Sequence, residues 1–151
     1  MDFLYQDPYP ILKDDTQYKK LTSDYVKVEQ LGDREILVVD PKGLELLAQE
    51  AMDDVSFMLR SAHLQKLRNI IEDPEATDND RFVAYNLLQN AAVAVEGQLP
   101  SCQDTGTAIV VAKKGENVYT GVDDGEWLSK GIFNTYQNKN LRYSQIVPIS
   151  M

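Results

Sequence analysis

Three consecutive side chains in the middle of the sequence could do chemistry: the thiol of Cys102, the amide of Gln103 and the carboxyl of Asp104. Pro100 precedes them and disfavours helical backbone in the residue before it. An apolar, β-branched run follows them and predicts a strand at residues 107–112. The sequence therefore predicts a loop between a helix end and a strand, and chemistry is often concentrated on such loops.

The segment that carries these side chains, Leu99-Pro-Ser-Cys-Gln-Asp-Thr-Gly-Thr-Ala108, resembles a known signature. It is similar to the sequence around the first cluster-ligating cysteine of class I fumarases, the iron–sulfur fumarate hydratases. Further matching stretches are Lys13–Thr16, Leu21–Ser23, Ser56–Arg60, Ala62–His63 and Asn140–Gln145. The similarity thus covers almost the whole chain. The family's other two ligand cysteines lie beyond Met151, so the chain resembles the front part of the family's N-terminal domain.

The resemblance implies that Cys102 binds one iron of a four-iron, four-sulfur (4Fe-4S) cluster, because thiolates are the soft ligands that such clusters require. Three cysteines hold the cluster in this family, and one iron stays open. The sequence contains a single cysteine, so we expect that this chain alone does not hold a cluster. The alternative for a lone cysteine is a small, buried apolar side chain.

The resemblance also implies a dicarboxylate substrate in contact with Gln103, Asp104 and Arg142. The Gln103 amide would bond a substrate carboxylate or hydroxyl. Asp104 would orient a hydroxyl or take part in proton transfer, and it is the catalytic candidate, beside a base from another domain. Arg142 would pair with a carboxylate through parallel hydrogen bonds. The alternatives are an ordinary Asp-Thr-Gly turn at residues 104–106 and a solvated charge at Arg142.

The acidic composition argues against several partners. The sequence has 24 acidic and 15 basic residues, a formal charge of −9, whereas nucleic acids and anionic membrane surfaces favour a basic face. Attraction for a dicarboxylate must therefore come from a local cation such as Arg142 or from iron. The sequence has no apolar run of membrane-spanning length, no signal-peptide pattern at its start and no cysteine pair for an internal disulfide. We expect a cytoplasmic protein.

The surrounding elements predict a helix-rich α+β domain with short β-hairpins, a fragment of a larger fumarase N-terminal domain. Residues 1–24 are expected to form an N-terminal arm, which Tyr5, Tyr9, Ile11 and Leu12 could pin to the body, with a free arm as the alternative. Residues 25–151 are expected to form a partial fumarase-type N-terminal catalytic domain. Strand-like runs on either side of Gly32 predict one hairpin. A second hairpin is predicted from residues 107–112 and 118–121.

Apolar residues at three- and four-residue steps predict four helices. The first covers residues 42–59, with Asp40 as its N-cap, and Ser61 is expected to cap the second. A third follows the capping cluster at residues 77–80, with an apolar face that carries Phe82, Tyr85, Leu88, Ala92 and Val95. The fourth begins near Asp123.

These expectations combine into one hypothesis. The chain is the N-terminal part of a class I fumarate hydratase, a hydro-lyase of the tricarboxylic acid cycle that reversibly hydrates fumarate to malate with the open iron as Lewis acid. The family's enzymes are dimers, so a homodimer and the remaining C-terminal part of the enzyme are the implied partners, and this part alone is expected to be inactive. The alternatives are an L(+)-tartrate dehydratase-like subunit and a stand-alone, non-catalytic binding or scaffold module.

Overall fold

The computed structural model describes residues 3–7, 10, 17–102 and 107–142. These residues form a mixed α and β domain in which helix exceeds strand, so the predicted α+β class is confirmed. In chain order the elements are β1 (Val26–Leu31), β2 (Arg34–Val39), α1 (Pro41–Phe57), α2 (Ser61–Glu72), α3 (Asp78–Ala94), β3 (Val118–Tyr119) and α4 (Asp124–Asn138).

The predicted first hairpin is present, and the predicted second one is wrong. β1 and β2 pair antiparallel around Gly32, whose φ of +61° is a conformation that glycine adopts without steric cost. β3 pairs in parallel with β2, with Leu37 opposite Val118, so it joins the first hairpin in a sheet of order β1-β2-β3. Residues 107–112 form no strand. They lie along α1 and α4 instead, where most of them line an open apolar groove.

Side-chain caps explain where three of the helices begin. Asp40 accepts a hydrogen bond from the backbone N–H of Lys42 at 2.8 Å, and a proline occupies the first position of α1. Thr77 and Asp80 bond each other's backbone N–H in a reciprocal capping box that starts α3. Asp123 accepts from two backbone N–H groups at the start of α4. These starts follow the predictions from sequence.

The two middle helices differ in detail from the prediction. Ser61 is the first residue of α2 and not its cap; Arg60 precedes the helix without a side-chain cap hydrogen bond. The buried face of α3 is also not the predicted one. Phe82 and Tyr85, on the predicted face, are 66% and 54% exposed, whereas Ala84 is buried. α3 turns Ala84 towards α2 because the small methyl side chain lets the two helices pack closely.

The main helix pair is α1 with α4. Gly131 and Thr135 are buried on the face of α4 that meets α1. The Thr135 hydroxyl donates to the carbonyl of Gln49 at 2.9 Å, and the Asn134 amide donates to the Glu45 carboxylate at 2.8 Å. Small and hydrogen-bonding side chains therefore hold these two helices together at close range.

The predicted N-terminal arm is only partly described. Its aromatic residue Tyr5 is 71% exposed and does not pin the arm to the body as expected. An ion pair between Asp7 and Lys113, at 2.8 Å, joins the arm to the segment before β3. Tyr9, Ile11 and Leu12, the other predicted anchors, lie outside the described residues. The division of the chain at residues 24 and 25 stays a prediction.

Candidate functional site

Cys102 lies on an exposed turn that follows α3. The helix ends at Ala94, and Gly97, with φ of +75°, reverses the chain shortly afterwards. Ser101, the residue before the cysteine, is only 6% exposed. The backbone is thus anchored beside a cysteine that remains accessible, which does not fit the alternative of a small, buried apolar side chain.

Hydrogen bonds to two helices brace this turn. The N–H of Ser101 donates to the carbonyl of Ser56 at 2.8 Å, in the last turn of α1, where carbonyls have no partner within the helix. The N–H of Cys102 donates to the side-chain oxygen Oδ1 of Asn90, on α3, at 2.9 Å. The Ser101 hydroxyl lies 3.4 Å from the same oxygen and donates to it. The position of Cys102 is therefore fixed relative to both α1 and α3.

Asn90 is a residue that the sequence analysis missed. It stands one turn before Ala94, which is fully buried, on the side of α3 that faces the protein. Asn90 is half-buried, and a polar side chain beside buried positions is a signal, because polar groups removed from water require hydrogen-bond partners. This signal was missed because the apolar face of α3 was assigned to the side of the helix that carries Phe82 and Tyr85.

Two of the predicted site residues cannot be placed. Gln103 and Asp104 lie outside the described residues, and so does the alternative Asp-Thr-Gly turn. Their contact with a substrate therefore stays a prediction.

Arg142 is described and is exposed, just after the end of α4. The preceding residue, Leu141, is only 3% exposed, and its N–H donates to the carbonyl of Tyr136 at 3.1 Å. Asn140 makes the turn with φ of +51°. Arg142 thus follows a buried residue after α4, and Cys102 follows a buried residue after α3. No hydrogen bond joins these two described residues.

Among the described residues, the carboxyl groups with shifted pKa values belong to pairs and helix caps that do not include Cys102. A hydrogen bond from Lys130 lowers the pKa of Glu45, and one from Lys114, at 2.5 Å, lowers that of Asp124. The capping box at the start of α3 lowers the pKa of Asp80. These shifts therefore reflect helix caps and helix contacts.

Cys102 fits one position in the ligand set of an iron–sulfur cluster. It offers a soft donor on an accessible, braced turn. Across residues 3–7, 10, 17–102 and 107–142, no three His, Cys, Asp or Glu side chains are grouped as a metal site requires. Because Cys102 is the sequence's only cysteine, any further thiolates must come from outside this chain.

The known proteins that this chain matches include several fumarate hydratases. Residues 45–151 match the family model for fumarate hydratase (Fumerase). The chain is 54% identical over 149 residues to "Fumarate hydratase class I, anaerobic" and 52% identical to "Fumarate hydratase class I, aerobic", both of Escherichia coli (strain K12); each alignment covers 99% of this chain and 27% of the relative. It is 51% identical over 139 residues to "Fumarate hydratase 1, mitochondrial" of Leishmania major, covering 91% of this chain and 25% of the relative. The chain thus spans about a quarter of the length of these curated relatives, and it belongs to the fumarate hydratase (Fumerase) family.

Proposed function

We propose that the protein to which this chain belongs is a class I fumarate hydratase, a hydro-lyase that reversibly adds water to the double bond of fumarate to give malate. The observation that carries the proposal is the identity of 52–54% with two class I fumarate hydratases over 99% of the chain. Since the chain spans 27% of those relatives, the activity is proposed for the whole enzyme and this part alone is expected to be inactive.

In this proposal Cys102 is one of three cysteines that hold a 4Fe-4S cluster, and the other two lie outside the chain. The bound cluster supplies a Lewis acid for the substrate's hydroxyl and carboxylate. The braced turn supports the proposal, because hydrogen bonds to Ser56 and Asn90 leave the thiol little freedom beyond its own side-chain rotation. A ligand held in this way needs little reorganisation when the cluster binds.

The dicarboxylate is proposed to bind beside the cluster, against residues of this chain. The Arg142 guanidinium takes one carboxylate through paired hydrogen bonds. The Gln103 amide bonds a carboxylate or the hydroxyl, and Asp104 orients that hydroxyl and is the candidate for proton transfer. Such local donors are needed because the formal charge of −9 repels a dianion at long range.

The proposed setting is a cytoplasmic homodimer that acts in the tricarboxylic acid cycle. None of the helices in the described part of the chain has the length and apolar character that a bilayer crossing requires. We propose no nucleic-acid or membrane partner, since the chain is strongly acidic. The partners are therefore the dicarboxylate, the remaining part of the enzyme and a second copy of it.

The full-length enzyme, purified without oxygen, tests this function. Iron, sulfide and fumarate hydration are measured for the parent and for Cys102→Ser, which should lose both cluster and activity. Arg68→Gln is the matched control and should retain both, since among the described residues Arg68 pairs with Glu72 on an exposed face of α2, at 2.8 Å.

Other outcomes of this experiment would support an alternative function or contradict the proposed ligand. Dehydration of tartrate without hydration of fumarate would establish the tartrate dehydratase alternative. A loaded cluster with neither activity would favour a non-catalytic module. A full cluster in Cys102→Ser would contradict the proposed ligand.

A further inference from the structure

The side chain of Asn90 holds the peptide of Cys102. Its Oδ1 atom accepts the N–H of Cys102 at 2.9 Å and the hydroxyl of Ser101 at 3.4 Å. Asn90 belongs to α3, a helix of 17 residues, so the acceptor oxygen is carried by a rigid element. One amide oxygen therefore contacts both the residue that carries the thiol and the residue before it.

We infer that Asn90 is a positioning residue for the cluster that Cys102 binds. Its oxygen fixes the direction of the cysteine's side-chain bond and keeps the N–H of Cys102 from donating to a cluster sulfur. Hydrogen bonds to the sulfurs help to set the reduction potential of iron–sulfur clusters, and groups behind a ligand change metal affinity about 10–100-fold. The inference rests on the proposed function, because it requires Cys102 to be a ligand.

A second contact allows the positioning role of Asn90 to be distinguished from a general effect on the fold. The N–H of Ser101 donates to the carbonyl of Ser56 at 2.8 Å, and this bond between backbones does not involve Asn90. It keeps the loop attached to α1 when the Asn90 side chain is changed. Replacement of Asn90 should therefore reorient the peptide of Cys102 locally while the loop stays in place.

The test uses the cluster-loaded full-length enzyme with three variants. Asn90→Leu keeps the size of the side chain and removes the acceptor, whereas Asn90→Asp keeps an acceptor oxygen. Asn86→Leu is the matched control, one turn earlier on α3, where the Asn86 amide donates to the carbonyl of Phe82 at 2.7 Å. The readouts are the rate of iron release in air, measured with a chelator, and the cluster's reduction potential.

We expect Asn90→Leu to release iron about tenfold faster than the parent and to raise the potential, because the freed N–H can donate to sulfur. Asn90→Asp should hold its iron as the parent does, and Asn86→Leu should match the parent in both readouts. If Asn90→Leu does not fold, Asn90→Ala gives the same comparison with space for water at the vacated position.

Two results would overturn the inference. The first is a parental iron-release rate and potential in Asn90→Leu; the second is equal acceleration in Asn90→Leu and Asn86→Leu, which would indicate a general loosening of α3. Cys102→Ser separates the two proposals. Loss of the cluster in Cys102→Ser without an effect of Asn90→Leu removes only the positioning role, whereas retention of the cluster in Cys102→Ser removes the proposed ligand itself.

Discussion

Gly131 on α4 lies so close to Glu45 on α1 that a Cβ atom at position 131 would be 2.2 Å from the Glu45 carbonyl oxygen. The same Cβ would be 2.9 Å from the Cβ of Ala48. The two helices therefore cross at a point where no side chain separates their backbones, and the crossing depends on glycine at this position.

Gly131→Ala should push α1 and α4 apart. The contact is with backbone, which cannot move aside as a flexible side chain can, so we expect a loss of about 3 kcal/mol, the upper range for overpacked cores. Hydrogen exchange of α1 and α4 peptides in the full-length enzyme measures the effect. Gly115→Ala is the control, because within the described residues its Cβ would meet Val118, at an ordinary 3.8 Å. Unchanged protection in Gly131→Ala would contradict the close crossing.

The interaction between Glu45 and Lys130 predicts a pH dependence of stability. The Lys130 ammonium lies 2.8 Å from the Glu45 carboxylate, and this hydrogen bond holds the pKa of Glu45 below its ordinary 4.5, partly opposed by burial. A lowered pKa in the folded state means that the stabilisation is complete above pH 4.5 and is lost as the pH falls through the folded-state pKa.

Glu45→Gln should therefore lower the Tm at neutral pH, and the difference from the parent should shrink as the pH falls below 4.5. The expected contribution is on the order of 0.5 kcal/mol, since the pair is partly exposed. Thermal unfolding across this pH range measures it. Repeating the comparison in a Lys130→Met background should remove most of the pH dependence, and a difference that stays constant with pH would show that the Lys130 bond is not its source.

Arg142 is expected to act on substrate binding. Arg142→Ala should raise the KM for fumarate about 10–100-fold, since charged hydrogen bonds contribute about 1.5–3 kcal/mol each, and should leave the iron content unchanged. Arg142→Lys should recover only part of the loss, because an ammonium cannot make the paired contact. Steady-state kinetics with parallel iron analysis gives the answer. A parental KM in Arg142→Ala would show that Arg142 is an ordinary solvated charge.

Asp104 is expected to act on the chemical step. Asp104→Asn preserves the shape and removes the ionisable group, so kcat should fall about 10²-fold or more while the cluster remains. Asp78→Asn is the control, because Asp78 is an exposed residue in the first turn of α3. If iron is lost together with activity, Asp104 supports the cluster loop and is not the proton-transfer group.

The 151-residue chain by itself should not retain a 4Fe-4S cluster, because it provides one thiolate and such clusters are held by several cysteines. Iron and sulfide analysis after anaerobic reconstitution tests this, with the full-length enzyme treated in parallel. Stoichiometric iron and sulfide bound to the short chain would require ligands other than cysteine.

Much of the fold could be predicted because its signals are local. Asp40 before Pro41, the capping cluster at residues 77–80 and the Gly32 turn each specify a backbone conformation through neighbouring atoms. The pairing of β3 with β2 could not be predicted, because β3 has only two residues and three helices separate it from β2 in sequence. The run at residues 107–112 has strand composition but lies along α1 and α4, and in the described part of the chain no strand pairs with it.

The candidate site could be predicted to a smaller extent. Cys102 was found from its type and its motif, and its exposure is consistent with the prediction. Asn90 was missed because the apolar face of α3 was predicted on the wrong side, and its specific role depends on a return of the chain after α3 that brings Cys102 back to the helix. Contacts of this kind arise from packing, which single-residue patterns do not encode.

The parallel pairing of β2 with β3 has a consequence for how the chain reaches its native state. α1, α2 and α3 all lie between the two strands in sequence, so this part of the sheet cannot close until the intervening helices have been synthesised. The β1–β2 hairpin precedes these helices in the chain, so the edge of β2 that pairs with β3 stays unpaired until then, and closure over a long loop is slow. An unpaired edge is a template for aggregation, so the β2 edge is exposed to this risk until Val118 and Tyr119 have been synthesised.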